Sequence, residues 1–265
     1  MLFVIDIGNS HTVTGLYDGD RLVGQWRLKS DRDKTADELA INSNALFAMA
    51  GIDARRITGI VIASVVPNLE AAWVNCCREH LTPNLEQSPL TVSAATVGDL
   101  ITIRTDNPSE VGADRLVNGI AAWNQFRSDL IVIDFGTAIT FDCVTARCEY
   151  IGGIIFPGIG ISLEALATRT AKLPHIDVSA RSEKIIGTTT VDAMRNGILF
   201  GYGAMIDGLA QGISREMAGG GKTVQVIATG GMARLIAPYA TQIGHIDPNL
   251  TLEGLRLIYE KKRAR

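Results

Sequence analysis

The amino-acid sequence predicts an α/β protein built from two similar halves, each with a sheet flanked by helices. Two apolar runs that end in Asp-x-Gly, at residues 2–8 and 130–136, lie 128 residues apart and indicate an internal repeat. Strand-like and helix-like segments follow each run in a similar order. A third apolar run, at residues 224–229, ends in a Gly-Gly pair. A chain of 265 residues is long enough for two such halves.

The bulk composition excludes several classes of protein. Hydrophobic residues make up 46% and charged residues 20% of the chain, a balance typical of a globular protein. The formal net charge of −3 gives no basic field for nucleic acid. No apolar run reaches the length of a membrane span, and no secretory signal is visible, so we expect a cytoplasmic protein. The four cysteines lack zinc-ligand spacing and are expected to be packed thiols.

The first half is predicted to open with a three-stranded meander. An apolar strand at residues 2–6 precedes two strand-like segments, Thr12–Tyr17 and Arg21–Leu28, which meet at an Asp-Gly hairpin signal. A helix should follow, because Thr35 and Glu38 have the spacing of a capping box. The remaining predicted elements are a strand at 58–63, a helix from Pro67 to about His80, and a short strand at 90–93.

The second half is predicted to repeat this order. Its strands are expected at residues 130–134, 138–145, 149–156 and 224–229, and its helices at 162–170, 190–217 and 232–240. The division falls near Glu110 to Trp123, a stretch that can itself form a helix. We therefore predict an N-terminal lobe at 1–115 and a C-terminal lobe at 116–265.

Polar residues directly after the first strand suit phosphate binding. The strand end presents Asp6, Gly8 permits close approach, and Asn9, Ser10 and Thr12 offer donors to phosphate oxygens. An ordinary turn with an Asx hydrogen bond is the alternative for one such motif. A second copy at 134–138 and a glycine-rich turn at 228–232 favour a composite nucleotide site, expected in the cleft between the lobes.

These motifs resemble those of the acetate and sugar kinase, Hsp70 and actin superfamily, and within it the type III pantothenate kinases. The resemblance implies two ribonuclease-H-like lobes and ATP-dependent phosphorylation of pantothenate to 4′-phosphopantothenate, which opens coenzyme A synthesis. It covers essentially the whole chain. The residues that carry it are DIGNSHT at 6–12, TADE at 35–38, DNP at 106–108, EVGADR at 110–115, DFGTA at 134–138, GGIIFPG at 152–158, GTTT at 187–190 and TGG at 229–231.

The resemblance also implies roles for individual residues. Asp114 would be the base toward the substrate hydroxyl, Asp134 would hold K⁺ or NH₄⁺, and Asp6 would face Mg²⁺ through water. The implied ATP-binding residues are Asp6, Ile7, Gly8, Asn9, Ser10, His11, Thr12, Val13 and Thr137. The implied pantothenate-binding residues are Thr105, Gly112, Ala113, Asp114, Arg115, Thr189 and Thr190. Thr105 stands where relatives often carry an aromatic substrate contact, and Ser10 replaces the usual threonine of the first motif.

Several alternatives stay open at this point. The chain could be a regulatory or transcription-accessory protein, or a phosphatase, on the same scaffold. Asp114 and Arg115 could form a structural ion pair instead of a substrate site. A homodimer is expected from the resemblance and from the apolar residues after Thr190, although a helix buried inside the lobe would explain the same pattern; these residues are Val191, Met194, Ile198, Leu199 and Phe200. Asp142, Asp192 and Asp207 are interpreted as solvated or capping residues.

Overall fold

The structure, a computed structural model, describes residues 1–81, 88–218 and 223–264. The chain divides into two compact units. Unit 1 comprises Met1–Ala121 together with Leu250–Arg265, and unit 2 comprises Ala122–Asn249. Each unit contains a mixed sheet and helices, as the sequence predicts.

Unit 1 begins with the predicted meander. Its sheet runs in the order Arg21–Lys29 (β3), His11–Asp18 (β2), Leu2–Ile7 (β1), Gly59–Ser64 (β4) and Leu90–Thr91 (β5). The pairs β1–β2 and β2–β3 are antiparallel, and the pairs β1–β4 and β4–β5 are parallel. Gly19 has a φ of +64° in the β2–β3 hairpin, a conformation that glycine adopts readily. The strands of this part are β1 (Leu2–Ile7), β2 (His11–Asp18), β3 (Arg21–Lys29), β4 (Gly59–Ser64), β5 (Leu90–Thr91) and β6 (Thr102–Ile103).

Two helices of the first 126 residues, those after Thr35 and from Pro67, begin where the sequence signals place them, whereas the short helix Ala94–Val97 was not predicted. Thr35 caps α1, and the backbone N–H of Thr35 donates to Glu38 Oε2 (2.8 Å), so the predicted capping box is confirmed. The predicted helix from Pro67 becomes a π-helical turn at Cys77–Leu81. The helices are α1 (Ala36–Met49), α2 (Pro67–Cys76), α3 (Ala94–Val97) and α4 (Ala113–Phe126), with 3₁₀ turns at Ala54–Arg56 and Pro108–Glu110.

The alternation of side chains along β1 separates its core face from its polar end. Phe3, Ile5 and Ile7 point to one face and pack with residues of α1 and α2, Phe47 and Trp73 among them. Asp6 therefore points to the opposite face, which it shares with Val4. This period places the carboxylate outside the cluster of apolar side chains.

Unit 2 repeats the local pattern of unit 1. Its strands are ordered β11-β10-β7-β8-β9, with β7 antiparallel to β8 and parallel to β10, as β1 is to β2 and β4. The predicted internal repeat is thus confirmed. The elements are β7 (Leu130–Phe135), β8 (Ala138–Val144), β9 (Glu149–Pro157), α5 (Ile159–Arg169), α6 (Thr190–Ala218), β10 (Gln225–Gly230), α7 (Ala233–Ile236), a 3₁₀ turn (Ala237–Tyr239) and β11 (His245–Ile246).

Helix α6 buries most of the apolar residues from which the dimer was expected. Met194, Ile198 and Leu199 are buried, and Ile198 and Leu199 belong to the core cluster of unit 2. The alternative of a helix buried in its own lobe accounts for these residues. They therefore give no ground for a dimer, which stays a prediction.

The last helix, α8 (Leu250–Arg263), packs in unit 1 rather than in unit 2. A Cβ at Gly254 would lie 2.6 Å from Val117 Cγ1, so α8 and α4 approach closely there. Thr251 Oγ1 also donates to Asn118 Oδ1 (2.7 Å). The structure thus differs from the expected C-terminal lobe at 116–265, because contacts with α4 and the β1–β2 sheet hold α8 in the first unit.

Other predictions concern cysteines and membranes. All four cysteines are buried thiols, and burial raises the pKa of Cys76 to about 12. Among residues 1–81, 88–218 and 223–264, no helix is long and apolar enough to cross a membrane.

Candidate active site

A tight turn follows β1, where the first phosphate motif was predicted. The Gly8 N–H donates to the His11 carbonyl (3.0 Å), and a Cβ at position 8 would lie 3.0 Å from that oxygen. Asn9, Ser10 and His11 are exposed. Asp6, which is half-buried, lies just before the turn. The turn therefore presents backbone and side-chain donors at the carboxyl end of β1, an arrangement suited to an anion.

Ser30, which was not predicted as a site residue, stabilises this turn through hydrogen bonds. Its hydroxyl donates to the Gly8 carbonyl (2.6 Å), and its backbone N–H donates to the Ser10 carbonyl (3.0 Å). The Thr12 and Ser30 hydroxyls are also in hydrogen-bond contact (3.0 Å), and Thr12 is buried. The hairpin register, which pairs His11 with Lys29, would have placed Ser30 beside Ser10.

The segment before α4 lies at the same edge of the unit 1 sheet. The Val65 N–H, directly after β4, donates to the Ile7 carbonyl (3.0 Å). A Cβ at Gly112 would lie 3.6 Å from Val65 Cγ1. Because β1 and β4 are parallel, their carboxyl ends meet at one edge of the sheet. Gly112 lies beside that edge, because it is close to Val65, the residue that follows β4. The structure thus brings residues 6–12 and residues 112–115 to the same edge of the unit 1 sheet.

Asp114 lies in the first turn of α4, beside Gly112. Its Oδ1 accepts a hydrogen bond from the Arg115 backbone N–H (2.8 Å). Burial raises the pKa of Asp114, and the Arg115 N–H and the Arg115 charge offset only part of that effect. A carboxylate with a raised pKa is a better proton acceptor than an exposed one, so this group suits base chemistry.

Thr105 contributes a buried hydroxyl upstream of the same segment. Its Oγ1 is buried and has no hydrogen-bond partner within the described part of the chain. Nearby, Asn107 Nδ2 donates to Glu110 Oε1 (2.7 Å) across the 3₁₀ turn. Buried hydroxyls are normally paired, so the Thr105 Oγ1 is available to a polar ligand.

The second phosphate motif forms the corresponding turn in unit 2. The Gly136 N–H donates to the Ala138 carbonyl (3.1 Å), and Gly136 and Thr137 are exposed. Gly158 packs against the turn, with its N–H on the Thr137 carbonyl (3.2 Å), and a Cβ there would collide with the Gly136 and Thr137 carbonyls. The approach of these two backbone segments requires glycine at position 158, which the sequence interpretation did not single out for this contact.

Asp134 precedes that turn and faces Gly230 of the glycine-rich strand end. Parallel register pairs Gly230 with Phe135, and a Cβ at position 230 would collide with Asp134 Oδ1. It would also lie 2.7 Å from the Phe135 carbonyl oxygen. Gly230 has a φ of +89°, which L-residues rarely adopt. The second and third motifs of the sequence are therefore in direct contact within unit 2.

Thr189 and Thr190 lie at the start of α6. The Thr189 hydroxyl donates to Asp192 Oδ2 (2.7 Å) and accepts from the Asp192 N–H (3.1 Å), which is a helix-capping arrangement. Both threonines are exposed. Asp192 is thus a capping partner, as expected.

Two further aspartates of unit 2 have different outcomes. Asp207 is half-buried and accepts from the Thr241 N–H and the Gln242 N–H, which lie in a turn rather than at the start of a helix, so it is not a helix cap. Partial burial alone would raise the pKa of Asp207, but these hydrogen bonds outweigh burial and lower it. The solvated or capping role expected of Asp142 is wrong: this residue is fully buried and accepts from the Tyr150 hydroxyl (2.8 Å).

Comparison with known proteins gives a full-length match. A family model described as type III pantothenate kinase matches residues 2–212. The type III pantothenate kinase of Desulfotalea psychrophila is 60% identical over 258 residues, which cover 97% of each chain. The type III pantothenate kinase of Desulforapulum autotrophicum is 44% identical over 261 residues, which cover 98% of this chain and 97% of that one.

Solved structures with lower sequence identity share the fold. Component A of the (R)-2-hydroxyglutaryl-CoA dehydratase from Acidaminococcus fermentans superposes with a TM-score of 0.54 at 13% identity, covering 100% of both chains. The activator of the 2-hydroxyisocaproyl-CoA dehydratase from Clostridium difficile, solved with ADPNP, gives a TM-score of 0.52 at 13% identity, covering 100% of this chain and 97% of that one. Both have the actin and sugar-kinase fold, as predicted for this chain.

Proposed function

Because this chain belongs to the type III pantothenate kinase family, and is a pantothenate kinase of coenzyme A biosynthesis, we propose that Asp114 is the base of its phosphoryl transfer. The observation that carries this proposal is the Asp114 carboxylate at the start of α4, which is half-buried and lies beside Gly112, and whose pKa is raised by its removal from water. The regulatory and phosphatase alternatives have no support from relatives that are 44–60% identical over the whole chain and are described as kinases.

The proposed chemistry is a direct transfer from ATP to an alcohol. The primary hydroxyl oxygen of pantothenate bonds to the γ-phosphorus of ATP, the bond from that phosphorus to the bridging oxygen breaks, and ADP leaves. Asp114 accepts the hydroxyl proton. Such transfers pass through a loose transition state, so the proton moves late and positioning contributes more than basicity.

The turn after β1 is proposed to bind ATP. Asn9, Ser10 and His11 are exposed and can contact phosphates with side chains and N–H groups, as can the backbone of Gly8. The Thr12 hydroxyl is engaged with Ser30, so its contribution would come from the backbone. The complete proposed set in this unit is Asp6, Ile7, Gly8, Asn9, Ser10, His11, Thr12 and Val13. In unit 2, exposed Thr137 is proposed as a nucleotide contact.

Metal ions are proposed at two aspartates. Mg²⁺ would be held near Asp6 through water, because Mg²⁺ keeps several waters and is usually bound by few carboxylates plus phosphates. A monovalent cation, K⁺ or NH₄⁺, would be held by Asp134. Asp134 Oδ1 and the Phe135 carbonyl oxygen converge beside Gly230, and such oxygen donors fit a hard cation. The cation would supply positive charge near the phosphates.

Pantothenate is proposed to bind at the segment before α4. Gly112 and Ala113 can contact the substrate through their backbone N–H and C=O groups, and Asp114 and Arg115 through their charged side chains. The Thr105 hydroxyl is buried without a partner in the described residues. A small polar acid needs such convergent groups. The threonines of the α6 cap, Thr189 and Thr190, stay proposed as substrate contacts.

A homodimer and a cytoplasmic location are also proposed. Unit 2 exposes large apolar side chains, including Ile155 at 65% and Ile186 at 81%, which a second copy can cover. A cytoplasmic location is proposed because the reaction consumes ATP. Light scattering that gives about 28 kDa, the mass of one chain, at full activity would exclude the dimer.

A coupled ADP-release assay tests the function. Purified protein with ATP, Mg²⁺, K⁺ and a panel of small alcohols should release ADP with pantothenate and only slowly with the others. Asp114→Asn should lose that release, whereas Asp20→Asn in the exposed β2–β3 turn should keep it. The absence of pantothenate-dependent ADP in the wild type would remove the proposal.

A further inference from the structure

We infer that the segment after β3 belongs to the phosphate site, with Arg32 as its phosphate-binding cation and Ser30 as its positioning residue. The inference rests on the proposed function, because it assumes that the turn after β1 holds the phosphates of ATP. The family motifs read from the sequence place no role on either residue.

Ser30 joins the segment after β3 to the turn after β1 by two hydrogen bonds. Its hydroxyl and backbone N–H bind the carbonyls of Gly8 and Ser10, on both sides of the exposed Asn9. Ser30 is itself buried. Ser30, the first residue after β3, is therefore hydrogen-bonded to the turn after β1 (residues 8–11), which is called the phosphate turn below. Residues 31–34 follow Ser30 and so begin next to that turn.

Arg32 lies in a tight turn directly after Ser30. Asp31 Oδ1 accepts from the Asp33 N–H (3.2 Å), and the Asp31 carbonyl accepts from the Lys34 N–H (3.3 Å). These bonds place Arg32 at the corner of a tight turn. Arg32 Nη2 in turn donates to Asn9 Oδ1 (3.2 Å), so the guanidinium reaches the tip of the phosphate turn.

Arg32 adds a positive charge beside residues that are neutral or acidic. Asn9 and Ser10 are neutral, Asp6 is acidic, and ATP brings several negative charges to the same place. Arg32 is exposed, its partner is a neutral amide, and within the described ranges no carboxylate forms an ion pair with it, although Asp31 and Asp33 flank it in sequence. A guanidinium that is not bound to a carboxylate can offer two parallel donors to a phosphate.

The test measures nucleotide binding by calorimetry in the full-length protein, with ATP, ADP and adenosine as the probes. Arg32→Gln should weaken ATP about 10- to 100-fold, the loss expected for a charge-assisted hydrogen bond, while adenosine affinity stays within about twofold. Arg32→Lys should recover part of the ATP affinity. The control is Arg21→Gln, which should leave ATP affinity unchanged, because Arg21 is exposed at the other end of β3 and pairs with Asp18 in the register.

Three results would contradict the inference. ATP affinity unchanged in Arg32→Gln would show that the guanidinium does not reach the phosphates. Equal weakening of ATP and adenosine would show a structural role. Ser30→Ala should raise the KM for ATP and leave the KM for pantothenate unchanged, and a rise in both would contradict the positioning role. Nucleotide binding is read without pantothenate, so failure of the kinase assignment would be seen separately, in wild-type turnover.

Discussion

Gly112 and Asp114 are in such close proximity that a Cβ at position 112 would lie 2.6 Å from Asp114 Oδ1. The clash would be with the end of a side chain rather than with backbone, so the carboxylate would move while the fold stayed intact. This relationship allows the carboxylate of the proposed base, Asp114, to be displaced without being removed.

Gly112→Ala should therefore lower kcat by about 10- to 100-fold, because a displacement near 1 Å of a reacting group can cost that much. The melting temperature should change little. Steady-state kinetics and thermal melts on one preparation check both values. In the Asp114→Asn background, the same glycine substitution should cost little more, since no base is left to displace.

Asp114→Asn should slow turnover by about 10²- to 10⁴-fold, the usual contribution of a positioned general base, and leave ATP affinity nearly unchanged. Burial disfavours the charged form of Asp114, so the neutral amide should keep or raise the melting temperature at neutral pH. A lower melting temperature with near-normal turnover would instead show a structural pair with Arg115.

As the proposed base, Asp114 should set the acidic side of the pH dependence through its raised pKa. The acidic limb of kcat/KM should lie above the ordinary aspartate value of 3.8, because the base must be ionised to accept the proton. The same raised pKa has the opposite effect on folding stability. It favours the folded protein at low pH, where Asp114 is protonated, and this contribution is lost as the pH rises through the pKa of Asp114 in the folded state. A kcat/KM limb at or below 3.8 would contradict the base role.

Activity should depend on a monovalent cation through Asp134. Rates should rise with K⁺ or NH₄⁺ and be low in Na⁺ alone, and Asp134→Ala should be slow in all three salts. Glu164→Ala on the exposed part of α5 is the matched control and should keep the response. Initial rates at constant ionic strength make the comparison. Equal wild-type rates in the three salts would assign Asp134 another role.

Gly230→Ala should destabilise the protein by about 1–3 kcal/mol, because the left-handed backbone at this position strains a side chain. The collision with Asp134 adds to that cost. Gly231→Ala is the control, since a Cβ there meets no atom within 4 Å. Denaturant unfolding of the two variants should separate them; equal stabilities would show that the strand end relaxes.

The sequence predicted those features that depend on neighbouring residues. The Thr35 and Glu38 capping box, the hairpin at Gly19 and the repeat of Asp6 and Asp134 all lie within short segments whose spacing carries the signal. The start of α5 at Ile159 was predicted three residues too late, because Gly158 acts as its N-cap without a side-chain hydrogen bond.

The remaining features join segments far apart in the chain. The Ser30 contact with Gly8 and the packing of Gly158 on Thr137 depend on backbone approach, which no periodicity encodes. Helix α8 was missed although Leu252, Leu255 and Ile258 have helical spacing. Its packing in unit 1 could not be predicted, because that depends on the three-dimensional neighbours of Gly254.

The return of α8 to unit 1 has a consequence for synthesis on the ribosome. Domains fold largely as they emerge, from the N-terminus onward. Residues 122–249 emerge before α8, so the contiguous unit 2 can fold first, while β1, β2 and α4 wait for the helix that covers Val4 and Val117. Until α8 emerges, the sheet that carries Asp6 lacks the helix against which its Val4 face packs.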